Sequence, residues 1–256
     1  MPDPNTIRVA GASGAIFETD DYGYSWVDKS VATSETITHL QGDWAWGGNQ
    51  TLYFRDASGD WQAQSATFAD AGDNFVAVVP IDTHTYVVTD DGAVYRHDGS
   101  SWSADLLAEA IAPVDASFAD TDIGWVATDD GLRHTDDAGA NWSTQLSGDT
   151  ISGVHATSAQ KVWVITGGQL GHSDDAGATW SYPFESVGDT FLSVSFFDDL
   201  HGVITTTSEK IFFTEDGQRW AEQTISGATG LVGAYGGRDF FAVVSAEGGV
   251  YRHWPF

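Results

Sequence analysis

The side chains in this sequence best able to do chemistry are carboxylates. Asp90 and Asp91, Asp129 and Asp130, Glu209 and Glu247 fall in or beside short turns, and two carboxyl groups held about 5 to 9.5 Å apart across a cleft are what glycoside hydrolysis needs. In a chain with 37 acidic residues a carboxylate pair is ordinarily solvated surface, so the pattern singles out no pair. His134 and His172 each stand two residues before an Asp pair. That equivalence places them on neighbouring structural units rather than on one metal. The Asp pairs lack the twelve-residue loop ending in Glu that a calcium site uses. Cysteine is absent, which excludes disulfides, zinc thiolates and cysteine nucleophiles. No cofactor is indicated.

The charge balance narrows the partners. Ten basic residues against 37 acidic ones give a net charge of -27. Of the acids 29 are Asp, and Lys29, Lys161 and Lys210 are the only lysines. Such a surface suits concentrated monovalent cations, because carboxylates stay hydrated there and a Debye length of about 3 Å at 1 M salt screens their repulsion. Nucleic acid and anionic membranes are poor partners, since phosphate binding requires clusters of Lys and Arg. No apolar run approaches the length of a membrane span, and Met1 to Asp20 lacks the basic start and apolar middle of a signal peptide. The expected setting is the cytoplasm of a salt-accumulating halophile, or a virion or surface assembly built from such a cytoplasm.

The elements that must position these residues are short strands in a repeat. Trp26, Trp61, Trp102, Trp142, Trp180 and Trp220 recur at spacings of 35, 41, 40, 38 and 40, the scale of propeller blades. Each Trp closes a polar turn, fullest at Thr19 to Trp26, Thr135 to Trp142 and Ser173 to Trp180. In these turns Asp21, Asp137 and Asp175 can accept backbone N–H groups. Gly23, Gly139 and Gly177 permit positive φ, and the Trp ring fastens the hairpin to its blade. Shorter copies run from Asp56 to Trp61, from Asp98 to Trp102 and from Asp216 to Trp220.

A strand and a tight turn precede each copy, as in Tyr86 to Gly92, Trp125 to Gly131 and Trp163 to Gly168, with Asp-Gly or Gly-Gly chemistry suited to two-residue hairpins. The unit is therefore four-stranded, with inner strands starting near Thr36, Asn74, Pro113, Ile151, Phe191 and Gly230. The first unit, from about Thr6, begins at strand two, and the last stops at strand three near Trp254. An all-β propeller of seven blades follows, or six if the terminal pieces form one blade. No linker interrupts the series, so residues 1–256 are expected to form one domain.

The turns resemble the Asp box, Ser/Thr-x-Asp-x-Gly-x-Thr-Trp, of bacterial-neuraminidase repeats, and the resemblance covers nearly the whole chain. It implies a propeller but not a single activity, because related repeats serve sialidases, sortilin-type receptors, photosystem II assembly factors and other glycosidases. Membership of the sialidases would imply three arginines, a Tyr-Glu pair and an acidic Asp at the channel mouth opposite the boxes. Arg55, Arg96, Arg133 and Arg252 are expected on third strands, Arg8 on a second strand, Arg219 inside a box and Arg238 on the box face. The Phe-Arg-Ile-Pro motif is absent.

A binding or scaffold protein is the expectation that remains, with no enzymatic activity and with another protein or assembly, or a glycan, as partner. The alternative is a carbohydrate-binding module or a glycoside hydrolase. The apolar connection containing Leu106, Leu107 and Ile111 is the candidate partner surface, the alternative being that it packs back onto a blade. The edges of the incomplete terminal blades are a second candidate.

Overall fold

The computed structural model describes residues 6–253 apart from 22, 48–50, 65–73, 99, 108–110, 224–229, 237–240 and 246–248. Two compact units divide the chain, Met1–Leu106 and Leu107–Phe256.

In the first unit, β1 (Ile7–Ala10), β2 (Ile16–Thr19) and β3 (Val27–Asp28) form a three-stranded sheet. A second sheet contains β4 (Ile37–Gln41), β5 (Trp44–Gly47), β6 (Leu52–Arg55) and β7 (Trp61–Gln64). The third contains β8 (Phe75–Ile81), β9 (His84–Thr89), β10 (Ala93–His97) and β11 (Trp102–Leu106).

The second unit opens with β12 (Pro113–Phe118), β13 (Gly124–Thr128), β14 (Gly131–Thr135) and β15 (Ser143–Ser147). Next come β16 (Gly153–Ala156), β17 (Val162–Thr166), β18 (Gln169–Ser173) and β19 (Ser181–Glu185). Another sheet holds β20 (Phe191–Phe196), β21 (Gly202–Thr206), β22 (Ile211–Thr214) and β23 (Ala221–Gln223). The last has three strands, β24 (Leu231–Gly236), β25 (Phe241–Ser245) and β26 (Val250–His253).

Every pairing is antiparallel between consecutive strands, so the blades are simple meanders. Among the described residues five sheets have four strands and the two terminal sheets have three. A count of seven therefore requires each terminal sheet to be a blade of its own. Taking the two together as one blade gives the alternative count of six.

Burial explains why these residues make strands. The second strands β13 and β21 are buried at every position, and on β21 Ile204 packs toward the fifth sheet while Val203 packs toward the seventh. Their runs of Val, Ile, Ala and Thr accordingly lack polar alternation. The fourth strands β15 and β19 are half-buried at most and carry Ser, Thr, Gln and Glu. Within each unit apolar clusters fill the spaces between successive sheets. Trp44, Leu52, Phe75 and Val87 pack between the second and third, and Trp125, Leu132, Ile151 and Val164 between the fourth and fifth.

The expected two-residue hairpins form at Asp129–Asp130, where Thr128 pairs with Gly131, and at Gly167–Gly168, where Thr166 pairs with Gln169. Gly131 is required twice over. Its φ is +131°, and a Cβ there would come within 2.0 Å of the Leu146 carbonyl oxygen on the fourth strand. The turn after β9 is one residue longer, with Gly92 N–H donating to Thr89 O at 3.1 Å.

The apolar connection requires a correction. Leu107 and Ile111 are buried, at 6% and 7% exposure, so they offer no free apolar surface. Leu106 ends β11 in register with Ala93, and its side chain lies outside the described residues. Large apolar side chains leave water whenever a wall is within reach, and a short link between strands stays close to both. Tyr22, Arg238, Glu247, Trp254 and the side chain of Arg252 also lie outside the described residues.

Candidate functional site

The acidic turns share one geometry. Thr19 Oγ1 donates to Asp21 Oδ1 at 2.7 Å and accepts Gly23 N–H at 2.9 Å. Asp21 in turn accepts Ser25 N–H at 2.9 Å and Ser25 Oγ at 2.6 Å. The same ring of bonds recurs from Thr135 through Asp137 to Gly139 and Asn141, and from Ser173 through Asp175 to Gly177 and Thr179. In the shorter turns Asp56 accepts Ser58 and Asp60 N–H, Asp98 accepts Ser100 and Ser101 N–H, and Asp216 accepts Gln218 and Arg219 N–H. A carboxylate that accepts several donors is stabilised in its charged form. The Ser25 hydroxyl and N–H thus hold Asp21 down at about 2. The equivalent partners lower Asp137 and Asp175, while Arg219 and Gln218 N–H lower Asp216.

The Trp rings differ more than the turns do. Trp180 packs against the cluster of Trp125, Leu132 and Val164, and its Nε1 donates to Gly177 O at 3.0 Å. Trp220 joins the cluster around Trp163 and Phe191, whereas Trp142 meets Phe118 edge to face at 6.3 Å. Trp26 is 40% exposed and departs from the expected fastening role. Gly177 packs so closely on the preceding sheet that a Cβ would meet Gln145 Oε1 at 1.8 Å. That Gln145 accepts the Trp125 indole N–H at 2.9 Å and donates to Ala176 O at 2.5 Å.

The carboxylates considered for glycoside chemistry are engaged with their own connections. Asp90 accepts Asn74 N–H and Nδ2, Asp91 accepts Thr89 Oγ1 and Ala93 N–H, and Asp129 accepts Ala112 N–H. Asp130 stands 3.7 Å from Arg133, and Glu209 accepts Gly230 N–H at 2.9 Å. His134 and His172 lie on adjacent sheets; His172 stacks on Trp163 at a centroid distance of 3.9 Å, and His134 is tilted against Trp125 at 4.9 Å. Burial lowers the pKa of both rings. Among the described residues no three His, Asp or Glu side chains converge as metal ligands would.

The arginines lie where their strands place them: Arg55, Arg96 and Arg133 on third strands, Arg252 on β26 and Arg219 in a turn. Arg8 and Arg55 meet on Glu18, at 2.8 and 2.9 Å, and Arg8 also donates to Gly42 O at 2.6 Å.

Four features were not anticipated from the sequence. Asp115, on the inner strand β12, accepts the N–H of Val154 on β16 at 2.9 Å and that of Ala116 at 2.8 Å. Desolvation pushes its carboxyl up to about 6, against those two bonds. A lone Asp in the inner strand Pro113–Phe118 was the available signal. On β16, burial lowers the His155 ring to about 4. Asp189 is buried and accepts the Ser186 and Ser208 hydroxyls and, at 2.9 Å, Lys210 Nζ. Finally, an open cavity of about 500 Å³ lies at the surface of the first unit, lined by Tyr53, Trp61 and the segment 28–33. The ion pair of Lys29 Nζ with Asp60 Oδ1, 3.0 Å, stands at this cavity.

No family model and no curated protein matches the chain. Solved structures do. YCF48 from Cyanidioschyzon merolae superposes with a TM-score of 0.75 at 18% identity, over 99% of this chain and 92% of that one. YCF48 bound to D1 peptide gives 0.74 at 15%, over 98% and 89%. A chain of the mitotic checkpoint complex gives 0.75 at 8%, over 98% and 87%. These likenesses are of fold: an all-β propeller with four-stranded antiparallel blades.

Proposed function

We propose that this propeller works by binding another protein and catalyses no reaction of its own. The use made of its acids carries the proposal. Asp21, Asp137 and Asp175 spend their lone pairs on the N–H and hydroxyl groups of their own turns, and Asp90, Asp91 and Glu209 on the connections beside them. A general acid needs the opposite environment, one that raises its pKa and leaves it facing a substrate. Asp115 is the raised exception, and two backbone N–H groups hold it as a link between inner strands. Two propellers with this fold support the reading by what they are recorded with, a D1 peptide in one case and a mitotic checkpoint complex in the other. We further propose that the turns are Asp-box repeats and that the net charge of -27 is an adaptation to molar salt. The setting would then be an assembly factor or a subunit of a larger particle.

The test is a panel of sialosides and common glycosides incubated with the protein in concentrated KCl. No release of sugar is expected. Turnover abolished by Asp130→Asn or Glu209→Gln, in protein that stays folded, would overturn the proposal.

A further inference from the structure

We propose that the cavity beside the Lys29–Asp60 ion pair receives an Arg or Lys side chain from an exposed peptide segment of a partner protein. This rests on the protein-binding reading above and gives it a place and a chemistry. Lys29 stands three residues after Trp26, as Gln145 stands three after Trp142. Gln145 closes its own gap by bonding both neighbours, Trp125 and Ala176. Lys29 reaches across to Asp60 instead, and space remains beside the pair.

Two features of that space describe its occupant. Asp28 and Asp60 give it two carboxylates against one ammonium, so a cation is favoured and a phosphate or sialate repelled. Tyr53 and Trp61 supply aromatic wall for the methylene stem of a long basic side chain. The entry cost is small. The Asp60 side chain is 61% exposed, and surface pairs of this kind are weak. A guanidinium that displaces Lys29 from Asp60 exchanges one cation for another and adds a second parallel hydrogen bond.

The test is fluorescence anisotropy with two labelled hexapeptides, one centred on Leu-Arg and the other on Leu-Glu, in one fixed buffer. The Arg peptide is expected to bind saturably and the Glu peptide not to bind. Asp60→Asn should weaken the Arg peptide by about fivefold. Lys29→Met, which removes the internal competitor, should strengthen it by a similar factor. Asp149→Asn makes the same charge change at an exposed site in the other unit and should have no effect. Absence of saturable binding overturns the proposal, as does equal weakening by Asp60→Asn and Asp149→Asn, or weakening by Lys29→Met. A partner protein captured equally well by the Asp60→Asn variant would sink this site and leave the protein-binding reading standing. Glycoside turnover would sink that reading without touching the peptide titration.

Discussion

Gln145 Oε1 accepts the indole N–H of Trp125 at 2.9 Å, and Trp125 is completely buried. One side chain thereby satisfies a core donor and, through Nε2, the Ala176 carbonyl of the next acidic turn. In the following blade the matching position is Pro183, and the matching indole N–H, that of Trp163, meets no acceptor among the described residues. Gln145→Leu should cost about 1 to 3 kcal/mol in urea unfolding, because it leaves a buried donor unpaired. Pro183→Gln should move stability the other way. Equal losses from both changes would show that the bond contributes nothing specific.

Asp115 should make stability depend on pH in an unusual direction. Its folded pKa, about 6, is raised above the ordinary 3.8, so the folded chain binds this proton more tightly than the unfolded chain. Its contribution is therefore most favourable below pH 4 and declines as pH rises to about 6, by up to about 3 kcal/mol. Asp115→Asn keeps an acceptor for Val154 N–H and removes the charge. The variant should melt above the natural protein at pH 7 and level with it near pH 4. A lower melting temperature at pH 7 would mean that the ionised form is the one the inner strands require.

The acidic turns titrate the other way. Asp21, held at about 2, stabilises the fold above pH 4 and loses that effect as pH falls through 2; Asp137 and Asp175 share its direction. Acid unfolding should consequently begin below pH 4. Asp175→Ala should shift its onset to higher pH and lower Tm, because Thr179 N–H and Oγ1 lose their acceptor. An unchanged onset would separate these turns from acid stability.

The repeat Trp residues should not be equivalent. Trp180→Ala empties a packed position between two sheets and should cost about 3 kcal/mol. Trp26, 40% exposed, should cost no more than about 1 kcal/mol by the same measurement. Similar losses at the two sites would show that exposure does not rank them.

Salt should raise stability steeply if the acidity is an adaptation to it. With 27 uncompensated negative charges, self-repulsion opposes a net stability of only about 5 to 15 kcal/mol. Melting in 0.1 M and in 3 M KCl provides the measurement. Identical curves would remove the high-salt proposal.

Strand order, blade boundaries and the acidic turns were legible in the sequence because each depends on neighbours within a few residues. Thr135, Asp137, Gly139 and Asn141 complete their bonds inside one turn, so their spacing alone dictates the geometry. The expected unit starts near Thr36, Asn74, Pro113 and Phe191 fall within a residue of β4, β8, β12 and β20. Tertiary structure decided what depends on chain segments 31 to 39 residues apart. Asp115 is raised because β16 packs beside it, Gln145 has its role because the next turn arrives over it, and Lys29 borders a cavity because Asp60 is within 3.0 Å. In the sequence Leu107 and Ile111 could equally face a partner or pack back onto a blade, and the structure buries them. Local hydrogen bonding can be read from spacing, whereas burial and desolvation belong to whichever distant strand comes to lie alongside.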